Sequence, residues 1–319
     1  MTGVRRTTAV VFPGQGSQRT GMAADFRRDF AAARESFGEA SDALGFDVAE
    51  LCQDERRLSM TEFQQPAILV AEIAMYRTLT AEFGIRPDIF GGHSLGEYAA
   101  LVAAGVLELS QAAPLVRERG RLMQEAAPAD GAMAALIARP GNPLDEEAVT
   151  AAIEDLEVDI ANINAPDQIV LSGLAEELDR AVAVLRNSGI RPRVKRLRVS
   201  APFHSRFMRS AAAALTALLD EGSGAWNCEH ATKVTSNTSG GFHSGQRAAL
   251  VDALGRQLSS TVRWADNMAA IAGQDRAARV IEVGPGRPLG GFFKAVGQTV
   301  ASVKDTATAK LLGTAVNGG

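Results

Sequence analysis

The chain has 319 residues, of which 46% are hydrophobic and 22% charged, and its formal net charge is −4. This composition is typical of a globular protein with a core, and a net acidic chain offers no overall basic field to nucleic acid or anionic lipid. Its two cysteines, Cys52 and Cys228, are too few for a zinc cluster, so we expect free thiols in a reducing compartment. With no signal peptide and no run of about 18 apolar residues, we expect a soluble, cytoplasmic protein without a membrane partner.

Strands and helices alternate in the first part of the chain. A β-branched run over residues 8–12 predicts a strand, which turn residues then end. Pro66 predicts the start of a helix that runs to residue 82, because proline is favoured at the first helical position. A strand over 85–90 and a helix over 97–104 follow. Such alternation predicts an α/β fold with a mostly parallel sheet.

The middle of the chain has a different order of elements, β-α-β-β-α-β, which is that of a ferredoxin-like unit. Its predicted strands are 133–137, 158–163, 168–173 and 193–199, and its helices are 144–156 and 178–186. We therefore expect an inserted ferredoxin-like subdomain over 131–201 and a larger α/β subdomain formed by 1–130 and 202–319. The small, polar tail beyond Asp305 is expected to be frayed.

The pattern G-x-S-x-G at residues 92–96 lies between a predicted strand and a predicted helix. A sharp turn there crowds its neighbours, which accounts for a glycine on each side of Ser94. Such a turn exposes the serine hydroxyl at the carboxyl end of the sheet and aims the helix N-terminus at a developing oxyanion. The placement predicts a nucleophilic serine in an α/β-hydrolase-like parallel-sheet domain, and the alternative is a purely structural glycine-rich turn.

Four histidines could act as the base that this serine requires. His93 adjoins Ser94, and because neighbouring side chains diverge it is a poor base. His230 and His243 lie in polar stretches that we expect near the surface. His204 lies where the chain re-enters the larger subdomain, and clefts form at such junctions. Elimination therefore favours His204 as the general base.

Arg119 lies in a helical segment whose residues three and four positions away are apolar, namely Leu115, Val116, Leu122 and Met123. The periodicity predicts that Arg119 points inward, where a guanidinium is costly unless an anion meets it. That anion is either a structural carboxylate or a carboxylate on the substrate, gripped by two parallel hydrogen bonds. Beside a nucleophilic serine, the second alternative predicts an acyl group with a free acid.

Together these motifs resemble the malonyl-CoA:acyl carrier protein transacylases of fatty-acid synthesis and the related acyltransferases of polyketide synthases. The resemblance covers nearly the whole chain and does not depend on any single motif. The matching segments are 12–18, 65–67, 92–97, 119–124, 162–168, 203–205, 257–258, 262–264 and 282–286.

The resemblance implies a role for each matching residue of the site. Ser94 attacks the thioester carbonyl and His204 serves as its general base. A backbone carbonyl near Gln257 orients the imidazole in place of an aspartate, which agrees with the lack of an obvious acidic third member. Gln15 and Leu95 supply backbone N–H groups to the oxyanion.

The resemblance also implies the substrates. Arg119 binds the malonyl carboxylate, in agreement with its place on the inward helix face. Malonyl passes from coenzyme A to Ser94 and then to the phosphopantetheine thiol of an acyl carrier protein. Malonyl-CoA and the carrier protein are the expected partners, and no metal, no cofactor and no nucleic acid is expected. We expect a monomer.

Phe203, immediately before the expected base, resembles the residue of malonyl-selective relatives. A large ring beside the acyl α-carbon leaves little room for a methyl branch, so we expect malonyl to be preferred over methylmalonyl, by about 1–3 kcal/mol. The sequence departs from the family pattern mainly at Ala201 and Pro202, where the proline is expected to shift the His204 loop.

A basic stretch over residues 191–198 holds five cations in an otherwise acidic chain. It is interpreted in two ways: as a docking surface for an acidic carrier protein or the phosphates of CoA, or as a charged edge strand that discourages sheet-to-sheet pairing.

Three rival functions stay open at this point. An acyl hydrolase of the same fold would clear stalled acyl chains from carriers, but an uncharged acyl group has no use for Arg119. A nucleotide-binding oxidoreductase is suggested by Gly14-x-Gly16 after a strand, yet Arg19 occupies the position of the third glycine of that fingerprint. A non-catalytic carrier-docking protein requires an inert Ser94.

Overall fold

The computed structural model describes residues 7–139, 142–199, 201–275 and 278–317. The strands are β1 (Thr8–Phe12), β2 (Ile89–Gly92), β3 (Gly131–Ile137), β4 (Val158–Ala165), β5 (Gln168–Leu174), β6 (Arg193–Arg196), β7 (Arg279–Val283) and β8 (Val300–Val303). The helices of the first part are α1 (Ala24–Asp29), α2 (Ala31–Leu44), α3 (Val48–Leu51), α4 (Glu55–Leu58), α5 (Thr61–Glu82), α6 (Gly96–Ala103) and α7 (Leu109–Glu125). The later helices are α8 (Glu146–Ile153), α9 (Ala175–Asn187), α10 (Arg209–Gly222), α11 (Arg247–Arg256), α12 (Trp264–Gln274), α13 (Leu289–Ala295) and α14 (Thr306–Asn317).

The larger sheet is parallel throughout, with the strand order β2-β1-β7-β8. Successive residues of β1 point to opposite faces, as strand geometry requires. On one face, Val10 and Phe12 enter a core shared with α5, α6 and α7. On the other face, Ala9 and Val11 pack with residues of α12 and α13, including Trp264. Both faces are therefore buried, as expected of a parallel sheet covered by helices.

The smaller sheet is antiparallel, with the strand order β4-β5-β3-β6. Helices α8 and α9 cover one face, where Leu136 packs with Leu178 and Leu185. The opposite face contributes Met133 and Ala135 to the core of the larger sheet. The predicted α/β fold, with a parallel sheet and a separate ferredoxin-like sheet, is confirmed.

The division into 1–130 with 202–319 and 131–201 stays a prediction, and residues 1–6, 140–141, 200, 276–277 and 318–319 of those ranges lie outside the described residues. Across the described ranges, no helix combines the length and apolar character that crossing a bilayer would demand.

Helix α5 begins five residues before the predicted start at Pro66, which lies in its second turn. Packing accounts for the longer helix, because α7 crosses closely over its first turn. A Cβ added at Gly120 of α7 would lie 2.5 Å from the carbonyl oxygen of Thr61, so only glycine allows this approach. The close crossing brings Gln65 of α5 beside Arg119 of α7, which matters for the site.

Other predicted elements were also wrong in their extent: the strand predicted over 193–199 ends at Arg196, and the helix predicted over 144–156 spans Glu146–Ile153. Strand β2 begins at Ile89 rather than at residue 85, because Pro87 has no N–H to contribute to a ladder. The described part of the tail beyond Asp305, residues 306–317, is not frayed but forms α14, in which Ala309 and Leu312 are buried in the main core. A helix so rich in small residues has a weak apolar pattern, so burial of its few large side chains decides whether the helix forms.

Candidate active site

Ser94 occupies a sharp turn between β2 and α6. Its φ is 53°, in the left-handed region that costs a non-glycine residue about 1–3 kcal/mol and is found at functional sites. The flanking glycines make the turn possible, since a Cβ at Gly92 would lie 1.9 Å from Gly96 and one at Gly96 would lie 2.2 Å from the Phe12 carbonyl oxygen. The turn therefore has the geometry predicted for a nucleophilic serine between a strand and a helix. We call residues 92–96 the elbow.

His204 lies directly against this serine. Its Nε2 is 2.8 Å from Ser94 Oγ, and its Nδ1 is 2.8 Å from the backbone carbonyl oxygen of Gln257. Because a carbonyl oxygen can only accept, Nδ1 carries the proton and Nε2 is left to accept the serine O–H. His204 also has a left-handed φ of 58°. The structure thus brings together the predicted pair and the carbonyl predicted to orient the imidazole.

Burial and, to a smaller extent, the nearby Arg119 guanidinium together lower the pKa of His204 far below that of an ordinary histidine, to about 3. The hydrogen bond to the Gln257 carbonyl acts in the opposite direction, since the bound N–H is retained in the charged form. His204 is therefore neutral around pH 7, as a group that accepts a proton must be.

Arg119 is 1% exposed and its guanidinium reaches the serine. Nη1 donates to Gln65 Oε1 at 2.7 Å, and Nη2 donates to Gln257 Oε1 at 2.8 Å and to Ser94 Oγ at 3.1 Å. All three acceptors are neutral, and Nε has no partner within the described part of the chain. Burial lowers the pKa of Arg119, although the group stays charged. No structural carboxylate binds this guanidinium among the described residues, so the first of the two alternatives finds no support.

A buried polar network that the sequence did not predict supports the elbow from behind. Asn237 Oδ1 accepts the Ser94 N–H at 2.6 Å, and its Nδ2 donates to the Gly92 carbonyl at 2.7 Å. Glu97 Oε2 accepts from Gln257 Nε2 at 2.7 Å, which fixes the amide so that its oxygen faces Arg119. Asn237 stands in a plain turn-like stretch, so no local pattern could have identified it.

The remaining histidines have structural partners. His243 was expected near the surface, and that expectation was wrong: it is 7% exposed, with its Nε2 2.8 Å from Glu97 Oε1. The polar residues around His243 in the sequence suggested exposure, but the hydrogen bond to the buried Glu97 carboxylate makes burial of His243 favourable. His93 Nε2 donates to Asn164 Oδ1 at 2.8 Å and its ring lies near Trp264, so its side chain has structural partners. Burial lowers the pKa of His93.

The two amides expected to bind the oxyanion lie close to the elbow. A Cβ added at Gly14 would be 2.4 Å from the His93 carbonyl oxygen and 3.6 Å from the Leu95 nitrogen, so the loop carrying Gln15 passes directly over the turn. Within the described residues, the N–H groups of Gln15 and Leu95 have no hydrogen-bond acceptor. Both are therefore available to a ligand.

Phe203 and Pro202 flank the base on its N-terminal side. Phe203 is 5% exposed and packs in the main core, so its ring is held in place beside His204. Pro202 packs on Gly131, where an added Cβ would come within 2.3 Å of its ring. The proline thus fits a neighbour that has no side chain, and His204 still reaches Ser94. No cluster of histidine, cysteine and carboxylate side chains suited to a metal ion occurs in the part of the chain that the structure describes.

Comparison with known proteins agrees with this geometry. Residues 9–318 match the acyl transferase domain family. A malonyl CoA-acyl carrier protein transacylase of Haemophilus influenzae is 40% identical over 313 residues, covering 94% of this chain and 96% of that protein. The crystal structure of FabD from Acinetobacter baumannii has a TM-score of 0.88 and 34% identity, with 98% of this chain and 99% of that chain covered.

A third relative was solved with a partner. The malonyl-transacylase PlMCAT, in complex with the type II polyketide synthase acyl carrier protein AntF, has a TM-score of 0.87 and 37% identity, covering 98% of this chain and 100% of that chain. Each of these matches spans almost the full length of both proteins. This chain belongs to the acyl transferase domain family, and it is an acyltransferase.

Proposed function

We propose that this protein transfers a malonyl group from malonyl-CoA, through an ester on Ser94, to the phosphopantetheine thiol of an acyl carrier protein. The observation that carries the proposal is the buried guanidinium of Arg119, 3.1 Å from the serine hydroxyl and bound, among the described residues, only to neutral acceptors. A cation so placed selects an acyl group that ends in a carboxylate. The names of the relatives, malonyl CoA-acyl carrier protein transacylases, support the same substrate and acceptor.

In the first half-reaction, Ser94 Oγ attacks the thioester carbonyl carbon of malonyl-CoA while His204 Nε2 takes its proton. The N–H groups of Gln15 and Leu95 stabilise the oxyanion of the tetrahedral intermediate. The carbon–sulfur bond then breaks, and the imidazolium returns the proton to the departing CoA thiolate. The product is a malonyl ester on Ser94, with the malonyl carboxylate bound to Arg119.

The second half-reaction reverses these roles. His204 Nε2 accepts the proton of the incoming phosphopantetheine thiol, whose sulfur attacks the ester carbonyl. The carbon–oxygen bond to Ser94 breaks, and His204 returns the proton to the serine oxygen. Because its Nδ1–H stays bound to the Gln257 carbonyl, the imidazole keeps one orientation through both halves. The Phe203 ring leaves little room for a methyl branch at the acyl α-carbon, so malonyl is preferred over methylmalonyl.

We also propose that the protein works in the cytoplasm as a monomer and without a metal or bound cofactor. The Ser94, His204 and Arg119 groups suffice for acyl transfer, which supports a reaction without a metal or cofactor. Size-exclusion chromatography with light scattering measures the oligomeric state, and a dimer mass would contradict the monomer.

The test is the intact mass of the protein after incubation with malonyl-CoA alone. We expect a malonyl adduct on the wild type and none on Ser94→Ala. Rapid release of CoA with no adduct would instead support the hydrolase of the same fold. An adduct that persists on Ser94→Ala would overturn the assigned nucleophile.

A further inference from the structure

A buried carboxylate and a buried histidine lie behind the elbow, and the proposed mechanism uses neither of them. Glu97, in the first turn of α6, is 1% exposed, and His243, in the loop before α11, is 7% exposed. Glu97 Oε1 lies 2.8 Å from His243 Nε2. Two ionisable groups are costly to bury, and an apolar pair of similar volume is often as stable. The pair is therefore a candidate for a role in positioning the site.

The other carboxylate oxygen of Glu97 binds the residue that connects the base to Arg119. Oε2 accepts from Gln257 Nε2 at 2.7 Å and from the Asn237 N–H at 3.2 Å. A carboxylate has no proton to give, so each group that faces Glu97 must donate. The Gln257 amide is thus held with its NH2 group toward Glu97 and the Ser94 carbonyl, which is 3.0 Å away. Its oxygen is left to accept from Arg119 Nη2 at 2.8 Å.

The reverse orientation of this amide would be unfavourable for Arg119. It would turn the Gln257 NH2 group toward the guanidinium, and because both groups have only donors neither could bind the other. Among its described partners, Nη2 would then keep only Ser94 Oγ, the group that reacts. Glu97 also compensates the guanidinium charge at a distance, since burial lowers the pKa of Arg119 and the Glu97 carboxylate acts in the opposite direction.

His243 determines whether Glu97 can hold the amide in this way. Within the described residues, His243 Nε2 is the donor to Glu97 Oε1, and the His243 N–H is itself bound to the Val234 carbonyl at 3.0 Å. Without the imidazole, Oε1 would be buried and unpaired, and a carboxylate in that position either takes up a proton or turns away. In both cases Glu97 would no longer require a donor from Gln257.

The base should not depend on these contacts. His204 Nδ1 is bound to the backbone carbonyl of Gln257, at 2.8 Å, and not to its side chain. That backbone is held by α11, since the Gln257 N–H donates to the Ala253 carbonyl. A turn of the Gln257 side-chain amide can therefore disturb Arg119 and leave His204 paired with Ser94.

We propose that Glu97 and His243 are positioning residues that set the preference for an acyl group with a carboxylate, which rests on the proposed function. They act through Gln257, whose amide oxygen they aim at the Arg119 guanidinium. The contacts run from His243 to Glu97, from Glu97 to Gln257 and from Gln257 to Arg119, and each is a hydrogen bond of 2.7 or 2.8 Å. The substrate carboxylate then meets a guanidinium that is already in place.

The test measures kcat and KM for malonyl-CoA and acetyl-CoA, with a holo acyl carrier protein as acceptor, on His243→Leu. We expect the KM for malonyl-CoA to rise about tenfold, the effect of one hydrogen bond to a charged group, while kcat and both constants for acetyl-CoA stay within about twofold. His243→Gln can place an amide N–H near the position of the imidazole Nε2, so it should bring this KM back to within about threefold of the wild type. His230→Leu is the matched control and should equal the wild type, since the described partners of His230 are Asn227 and the Gly105 carbonyl.

A double variant separates positioning from a general effect on folding. Adding His243→Leu to Arg119→Met should leave the KM for malonyl-CoA where Arg119→Met alone puts it, because the guanidinium on which His243 acts is gone. Should His243→Leu fail to fold, His243→Asn takes its place with the same expected result, because its amide is too short to reach Glu97.

An unchanged KM for malonyl-CoA in His243→Leu would overturn the proposal. Equal losses with the two donors, a further loss in the double variant, or no recovery in His243→Gln would overturn it as well, since His243 would then support the fold and not the guanidinium. Failure of the proposed function looks different, because the wild type itself would then form no adduct with malonyl-CoA.

Discussion

Replacing Arg119 should slow the reaction with an acyl donor that carries a carboxylate and leave the reaction with an uncharged acyl donor nearly unchanged. The variant Arg119→Met keeps an unbranched apolar chain in the buried position and removes the guanidinium. Five N–H groups are present on that guanidinium, and the structure engages three of them, with Gln65, Gln257 and Ser94. The other two, together with the one released when the serine reacts, remain to bind a carboxylate.

The expected loss follows from the bonds a malonyl carboxylate would make. A hydrogen bond to a charged group contributes about 1.5–3 kcal/mol, so two parallel bonds contribute about 3 kcal/mol at the lower bound. At 1.36 kcal/mol for each factor of ten, kcat/KM for malonyl-CoA should fall about 150-fold. The acyl group of acetyl-CoA has no carboxylate for Arg119 to bind. The rate of its slow transfer should therefore change by no more than about threefold.

The assay is the rate of CoA release with each donor and a holo carrier protein present, measured on wild type, Arg119→Met and Arg119→Lys. The lysine variant keeps the positive charge but lacks the two parallel N–H donors of the guanidinium. Its activity with malonyl-CoA should therefore lie between those of the wild type and Arg119→Met. Parallel losses with malonyl-CoA and acetyl-CoA would refute the reasoning, because Arg119 would then support the site as a whole and not the carboxylate.

Three further predictions concern the base, the selectivity and the elbow. Because the pKa of His204 is held at about 3, the rate of adduct formation should stay level from pH 7 to about pH 5. An unperturbed histidine would lose about 25-fold over that range, and an acid limb near pH 6.5 would contradict the account. Phe203→Ser should raise turnover of methylmalonyl-CoA relative to malonyl-CoA about tenfold in competition, whereas equal use of both donors by the wild type would refute the steric argument. Asn237→Ala should lower the free energy of unfolding in urea by about 2–3 kcal/mol, since it leaves a buried N–H and a buried carbonyl unpaired. The exposed Asn227→Ala is its control, and equal losses in the two variants would contradict this.

Local sequence signals predicted the geometry around Ser94 well. A glycine on each side of Ser94, between a strand and a helix, predicted the elbow that the structure contains. Helical periodicity predicted that Arg119 points inward, and it is buried. Elimination among the histidines selected His204, whose Nε2 lies 2.8 Å from the serine hydroxyl. The predictions for Ser94 and Arg119 depended on near neighbours in the sequence, where chain geometry limits the possible outcomes. His204 was instead selected by elimination and by its place where the chain re-enters the larger subdomain.

Partners distant in the sequence were beyond such reasoning. Asn237 binds the Ser94 N–H across 143 positions, and no periodicity connects the two. His243 was misplaced at the surface because its burial depends on Glu97, 146 positions away. Helix α14 was missed for the same reason, since its few large side chains find their core elsewhere in the chain. Tertiary contacts decide these features, and short sequence windows do not contain them.

The most direct test of acyl transfer is a chase of the isolated malonyl-enzyme. The adduct formed with malonyl-CoA is freed of CoA and mixed with holo acyl carrier protein, and the intact masses of both proteins are followed. The account predicts that the malonyl mass leaves the enzyme and appears on the carrier in equal amount. Its appearance as free malonate at the same rate with or without carrier would contradict the account and identify a hydrolase.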